Sequence, residues 1–554
     1  MNRLGFRKTL SYYFGWALEA NRNRWTDSEV LERMERAEAE GFSRRKMIAL
    51  STAAATAGIV SCESRSFTAE VKSKSKDPEV VVLGAGAAGL SAAYLLAKSG
   101  VACAVYEGNS RLGGRVWTRD NFNSEGMIIE LGAEFVDSDH NALMDICSEV
   151  GVEVVDFVNH VPGLEAEVFF MGGKPLYAKE LIPQFRVLAA IIIKDLDTFV
   201  TSKGIDLPTL GKETPASKFD GMSISQYLQN AQSQGLEKTF VDVIKVAYLG
   251  MYGTDPDKQN SLNLLLLIDP HSKGLGIYGS SDEAKRVKGG NSRMIEGLAM
   301  AVQRKSTIEM EHKLVRISDN GSQFTLDFQT PSGNKQVKAG RIMCCLPFTT
   351  LREVEGIFDL DLSQEKKNAI KEMGYSTNAK FVVGFKERYW RRKGNTVEPN
   401  YGAVFSDGLV KEVRDSSNGQ KGNSGIIMNY LSDKEGEFVS PQLFNNTMKH
   451  LEILYPGIGK THDGLKNLQH WPSEKFIKAS YSCQLVGHYG KMGGFENLIE
   501  LSGRMGFAGE HLSSDYGGYM NGAIETATQA ASALARNQTG QPGENTRSRG
   551  KRKK

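Results

Sequence analysis

Three glycines and one acid carry the first chemistry legible in this chain. Gly84, Gly86 and Gly89 have GxGxxG spacing, and Glu107 follows them. Before the glycines lies Val80-Val81-Val82-Leu83, a short apolar run rich in β-branched residues, as a buried parallel strand requires. After them Leu90, Ala93, Tyr94 and Ala97 recur at helical intervals. Gly100 ends that helix, and Ala102 to Tyr106 reads as a second strand with Glu107 at its end. Strand, glycine turn, helix, strand and acid make a dinucleotide-binding unit. Gly84 permits the tight turn, Gly86 leaves room for a pyrophosphate, and Gly89 lets the helix pack close to the strand. The first helical turn, Ala88 included, offers N–H groups and the positive end of the helix dipole to phosphate. Glu107 is placed to accept hydrogen bonds from ribose hydroxyls.

Arg111-Leu112-Gly113-Gly114-Arg115 follows Glu107 at once. Its glycines let the backbone approach a cofactor, and its arginines can offset phosphate charge. Further motifs lie downstream: Glu130-Leu131-Gly132-Ala133-Glu134-Phe135, Lys288-Gly289-Gly290-Asn291 and Glu311-His312-Lys313-Leu314-Val315. Near the end come Trp471 with Ala479-Ser480-Tyr481-Ser482, then Phe507-Ala508-Gly509-Glu510-His511 and Gly518-Tyr519-Met520-Asn521-Gly522-Ala523. Together these runs resemble the flavin-containing amine oxidase superfamily, and the resemblance extends from Glu79 to Arg536. It implies FAD as cofactor. Arg111, Gly114 and Arg115 then form the second flavin motif, and Leu131, Gly132 and Ala133 pass along the flavin. The backbone of Leu314 holds the adenine. Trp471 belongs to the cofactor's surroundings, Gly509 and Glu510 hold the ribityl chain, and the backbone of Tyr519 and Met520 faces the isoalloxazine.

The same resemblance assigns catalysis. Tyr481 and Tyr519 match paired rings in front of the flavin, whose faces favour a positively polarised C–N unit. Lys380, in Asn378-Ala379-Lys380-Phe381, matches a lysine that holds a water against flavin N5. The implied reaction takes a primary or secondary amine to an imine, then to aldehyde and ammonia, with O2 reduced to hydrogen peroxide. Family members with covalent FAD carry a cysteine before the tyrosine of the SYS segment. Here that residue is Ser480, which implies non-covalent FAD. Glu134 stands where a carboxylate would attract a cationic substrate and repel an acid. Two alternatives use the same scaffold: an L-amino-acid oxidase, and a desaturase or porphyrinogen oxidase. No metal site is expected, since neither the six cysteines nor the nine histidines show ligand spacing.

These residues need a large frame. The chain has 554 residues, 40% hydrophobic and 24% charged, enough for two cores. A net charge of +3 gives no reason to expect nucleic acid. The expected fold class is α/β: a Rossmann-like FAD-binding domain interleaved with a mixed α+β substrate domain. Residues 79–140, 285–347 and 474–536 form the first. Residues 141–284, read as largely helical, and 348–473, with strands near 380–385 and 404–430, form the second. Residues 1–42 are an N-terminal extension, 63–78 a linker and 537–554 a basic tail. Between them Arg44-Arg45 precede a mildly apolar run to Val60, so 43–62 resembles a twin-arginine export signal. Ile59-Val60-Ser61-Cys62 resembles a loose lipobox, which would place a lipid and membrane attachment on Cys62; cleavage without lipid is the alternative. The expected location is periplasmic, or anchored on the outer side of a bacterial membrane. The expected partners are a small-molecule amine and O2. A dimer is compatible with the sequence, which does not fix the oligomeric state.

Overall fold

The computed structural model describes residues 78–157, 162–202 and 204–538. The N-terminal extension, the export segment with Cys62 and nearly all of the linker and basic tail lie outside them. Among the described residues no helix is long and apolar enough to cross a membrane.

Strand β1 (Val80–Leu83), helix α1 (Ala87–Lys98) and strand β2 (Cys103–Tyr106) form where the glycine spacing places them. All four residues of β1 are buried, as a strand covered on both faces must be. β1 pairs in parallel with β2 on one side and with Arg341–Cys344 on the other. The complete sheet runs Thr307–Glu309, β2, β1, Arg341–Cys344, Met505–Phe507, Ile499–Glu500. Its strands come from the three chain segments that carry the cofactor motifs. Only Ile499–Glu500 is antiparallel to its neighbour.

Helix α1 packs against the C-terminal helix Met520–Gln538. Small residues make the approach close: Ala92 and Ala93 share one core with Ala527 and Ala530. The helix Ser292–Gln303 joins this core through Met294, Leu298 and Val302.

A second sheet of seven strands holds Lys380. Its order is His462–His470, Ala379–Phe385, Gly425–Leu431, Glu412–Asp415, Val404–Ser406, Val168–Met171, Lys174–Leu176. The strands expected near 380–385 and 404–430 are present. Two more come from the first insertion, which is therefore less uniformly helical than its apolar runs suggest. Phe169 and Phe405, both buried, stack at 5.3 Å and tie these strands to the helical core. That core includes the helix Ala178–Leu196, which buries Leu188, Ile191 and Ile192.

One glycine sets how closely α1 approaches β1. A Cβ on Gly89 would lie 1.8 Å from the carbonyl oxygen of Gly84, whose φ of +95° makes the turn. Gly89→Ala must therefore displace the helix, at a cost of about 1–3 kcal/mol or more. The expected outcome is a lower thermal melting temperature with or without cofactor, measured by circular dichroism.

Candidate active site and cofactor cradle

The cradle is built from two glycine loops. Gly86 caps α1, with no side-chain cap and no acid in the first turn, so the helix N-terminus is open to an anion. The loop Arg111–Arg115 lies beside it through a Gly86–Gly113 bridge and the Gly113 N–H, which donates to Ala85 O at 2.9 Å. A Cβ on Gly86 would meet only Gly113 O, at 3.9 Å, and one on Gly114 only Gly86 Cα, at 3.6 Å. The space between the loops is thus bounded by glycine. Glu107 closes its far end and accepts the N–H groups of Ala85 (2.7 Å) and Asn109 (2.8 Å). Burial lifts its pKa above the usual carboxylate value. His312 donates its N–H to Glu107 O, and Leu314 follows on the strand Lys313–Asp319, opposite Phe328. These residues fit a dinucleotide: open N–H donors for phosphate, a gap that any Cβ would narrow, and an acid at the sugar end.

Both arginines of the loop act as clamps. Arg111 donates to Leu112 O (3.0 Å) and Gly114 O (2.8 Å), with its guanidinium 4.4 Å over Trp117. Arg115 Nη1 reaches across the fold to Ser480 O (2.6 Å) and Glu510 Oε1 (2.7 Å). The segment Leu131–Ala133 threads beneath them. Ala133 N–H donates to Arg115 O, and Trp471 Nε1 donates to Leu131 O at 2.9 Å. A Cβ on Gly132 would lie 1.9 Å from Arg115 O, so only glycine passes there.

Glu510 joins the motifs. Besides Arg115 it accepts Ser482 N–H (3.2 Å), Ser482 Oγ–H (2.7 Å) and Gly518 N–H (2.7 Å). Burial alone would raise its pKa. Arg115 and these donors hold the carboxyl below the usual range instead. Gly509 is fixed by Thr526, which accepts its N–H at 3.0 Å. Met520 opens the C-terminal helix and is buried. His511 packs its ring 4.3 Å from that of Phe348, a structural placement.

Gly518 lies against the Tyr481 ring. A Cβ on Gly518 would touch the Tyr481 ring at 3.6 Å, and Tyr519 is the next residue. No ring contact joins Tyr481 to Tyr519 themselves. Tyr481 Oη–H donates to Gly250 O at 3.0 Å, and its phenol shares a hydrogen bond with Tyr430. Tyr519 bonds Ser281 and meets the edge of His140 at 5.1 Å. Burial raises both phenol pKa values, so both rings stay neutral. Asp137, Asp139 and His140 gather their ligand atoms within 4.8 Å. However, His140 Nδ1 accepts the Asp137 N–H, so the neutral ring turns a proton, not a lone pair, toward Asp137 Oδ2 at 3.5 Å.

Lys380 lies in a fully buried strand, and its ammonium is saturated. It donates to Gly132 O (2.8 Å), Glu130 O (3.2 Å) and Glu134 Oε2 (2.8 Å), and lies 5.6 Å from the Tyr430 ring. A water held by Lys380, as the resemblance implies, must displace one of these bonds. Glu134 requires a correction. It pairs with Lys380 and also with Arg286 Nη2 at 3.3 Å, and these cations hold its carboxyl low despite burial. Its charge is already matched and is not open to a substrate cation. Beside it, Glu130 is pushed up to about 7 by burial, against hydrogen bonds from Asn291 N–H and Thr118 Oγ–H.

Several residues of the site were not singled out in the sequence. Arg286 is held over Phe157 at 3.7 Å and near Phe135 at 5.5 Å. Arg414 binds Glu412 (2.7 Å) and Glu283 (2.9 Å). Glu412-Val413-Arg414 did carry a signal: alternate residues of a strand share one face. Tyr278, Tyr430, Tyr481, Tyr519, Glu167 and Arg414 lie deep in the protein yet keep accessible surface. Side chains so placed face internal space and not bulk solvent, which marks them as candidate walls of a substrate cavity.

Ser480 occupies the position of the tethering cysteine, and its hydroxyl is turned into Ser376 Oγ (2.5 Å) and Asn378 Oδ1 (2.6 Å).

Two substitutions separate cradle from scaffold. Gly86→Ala adds a Cβ that meets no protein atom closely, so melting of the cofactor-free protein stays unchanged while FAD affinity falls by about tenfold or more. Glu510→Gln leaves the partly exposed Arg115 beside a neutral partner and weakens the charge-assisted bonds at this position, a loss of about 1.5–3 kcal/mol. It is expected to lower both melting temperature and FAD affinity, read by calorimetry and flavin fluorescence.

Residues 87–535 match the family model described as flavin containing amine oxidoreductase. Among similar proteins is a flavin-containing amine oxidase of Oncorhynchus mykiss, 23% identical over 481 residues, covering 82% of this chain and 85% of that one. Another is an L-amino-acid oxidase of Vipera ammodytes ammodytes, 21% identical over 482 residues, covering 83% and 93%. Among solved structures, a wild-type putrescine oxidase bound to putrescine shares the fold at 18% identity and a TM-score of 0.67, covering 83% of this chain and 99% of that one. Cyclohexylamine oxidase from Brevibacterium oxydans IH-35A does so at 19% identity and 0.69, covering 84% and 100%. The chain belongs to the flavin containing amine oxidoreductase family, and FAD, held without a covalent bond, is its cofactor.

Proposed function

We propose that this oxidoreductase converts a primary or secondary amine to an imine, with O2 as final acceptor. The observation that carries the proposal is the pairing of charge around the cavity. Lys380 and Arg286 are both bonded to Glu134, and Arg414 to Glu412 and Glu283. Each cation of this group already has a carboxylate partner, although Arg286 Nε–H is left without one. Removing a partner from a buried pair costs about 3–5 kcal/mol, so none is readily released. This favours an amine over an L-amino acid. It also disfavours a large apolar substrate, because a desaturase would bury hydrocarbon against charged walls.

Bound FAD supplies the two-electron acceptor that O2 reoxidises to give hydrogen peroxide. The chain's own residues do the rest. The neutral rings of Tyr481 and Tyr519 orient the C–N unit through their faces. The low-dielectric setting favours the neutral amine, the form able to lose hydride. The Lys380–Glu134 pair fixes a positive group against the carbonyls of Glu130 and Gly132; to orient a water for imine hydrolysis or oxygen reduction, Lys380 would exchange one of these three bonds for the water. Export through the Arg44-Arg45 segment is part of the same proposal and rests on that sequence alone.

The test pairs substrates that differ only by an α-carboxylate. Peroxide release is measured for 1,5-diaminopentane against L-lysine, and for 2-phenylethylamine against L-phenylalanine. Amines are expected to exceed their carboxylated partners in kcat/KM by about a hundredfold or more, the scale of one unpaired buried charge. Turnover of the amino acids alone would reject the proposal.

A further inference from the structure

Tyr481 and Tyr519 are held by different means. Tyr481 is fixed through its hydroxyl, which donates to Gly250 O at 3.0 Å. Tyr519 is gripped by an imidazole. The His140 ring lies 5.1 Å from the Tyr519 ring with the planes crossed at 67°, and 5.4 Å from the Tyr516 ring with the planes crossed at 84°. One ring thus contacts both ends of the turn that runs from Tyr516 to Tyr519. Two further bonds seat the same stretch. Leu143 N–H donates to Asn521 Oδ1 at 3.0 Å, and Tyr516 Oη–H donates to Asp139 O at 3.4 Å.

The imidazole has little freedom. His140 is 1% exposed, and burial lowers its pKa to about 4, so the ring is neutral. Its Nδ1 accepts the Asp137 N–H at 3.1 Å, which leaves the proton on Nε2, 3.5 Å from Asp137 Oδ2. The other carboxylate oxygen, Oδ1, accepts Ser281 Oγ–H (3.0 Å) and Glu283 N–H (2.8 Å). Both oxygens of Asp137 thus face donors, a demand that an amide cannot meet in either orientation. Ser281 is in turn the partner of the Tyr519 hydroxyl. Asp137 therefore supports both contacts of the Tyr519 side chain, the ring through His140 and the hydroxyl through Ser281.

We infer that His140, oriented by Asp137, is a positioning residue that sets the plane of the Tyr519 ring and so the approach of the substrate's C–N unit. This deepens, and rests on, the amine oxidase reading above. Both residues act through Tyr519. A misaligned ring leaves room for the amine but misplaces the carbon that must lose hydride, so the cost falls on the chemical step and not on binding.

The test is a double-mutant cycle on the FAD-loaded full chain. Anaerobic flavin reduction by 2-phenylethylamine and by 1,5-diaminopentane is followed by absorbance for the wild type, His140→Gln, Tyr519→Ala and the double variant. Flavin content and melting temperature are measured for each. His140→Gln is expected to slow the limiting rate of flavin reduction by about tenfold, with amine affinity changed by about twofold or less. In the Tyr519→Ala background the same substitution should cause no further loss, because the ring it positions is gone. Asp137→Asn keeps the shape of the carboxylate and disturbs packing least. Run through the same cycle, it should lower the reduction rate in the presence of Tyr519 and not in its absence. Additive losses in both cycles, or losses confined to affinity or melting temperature, would overturn the positioning role and leave the amine oxidase reading standing. Wild-type flavin left oxidised by both amines would overturn that reading and the positioning role together.

Discussion

The site depends on a buried negative charge at Glu510. It is held ionised by Arg115 and by donors from Ser482 and Gly518. Each donor belongs to a different stretch of chain. Arg115 comes from the loop that lines the cradle, Ser482 follows Tyr481, and Gly518 precedes Tyr519. The carboxylate therefore sets where both tyrosines lie relative to the glycine loops. Arg115 shares the same grip with Ser480 O, and Ala133 N–H returns to Arg115 O. The sheet and helices bring these segments near one another; the charge pair fixes their register.

A second set of paired charges supports the substrate class proposed above. Three cations, Lys380, Arg286 and Arg414, are matched by Glu134, Glu283 and Glu412. Pairs of this kind are weak evidence for stability. Under the amine oxidase proposal they matter for selectivity: each cation already has a carboxylate partner, and Glu167 is the acid left over. The cavity's chemistry is a property of the whole inventory and not of any single residue.

Much of this was legible in the sequence where the cause is local. The turn at Gly84, the helix after Gly86 and the acid at Glu107 follow from backbone geometry over a few residues. Ala523, Ala527 and Ala530 stand at helical spacing, the small face that a close helix contact requires. Tyr481 and Tyr519 were reached through motif resemblance, and the fold brings them beside Gly518. Glu134 was misread because its partners stand far away in sequence, Lys380 on a strand of the second sheet and Arg286 beyond the first insertion. Glu167 went unnoticed for a related reason. An acid before a strand looks exposed until the fold wraps a cavity around it. Glu412 and Arg414 show the intermediate case: their shared strand face was readable, but not what that face meets.

The central claim is that the cavity delivers electrons from an amine to bound FAD. Its most direct test is rapid anaerobic mixing of the FAD-loaded protein with an amine, following the absorbance of oxidised flavin. The account predicts bleaching on mixing and recovery of the absorbance when O2 is admitted. Flavin that stays oxidised with every amine, yet bleaches with an L-amino acid, would contradict it.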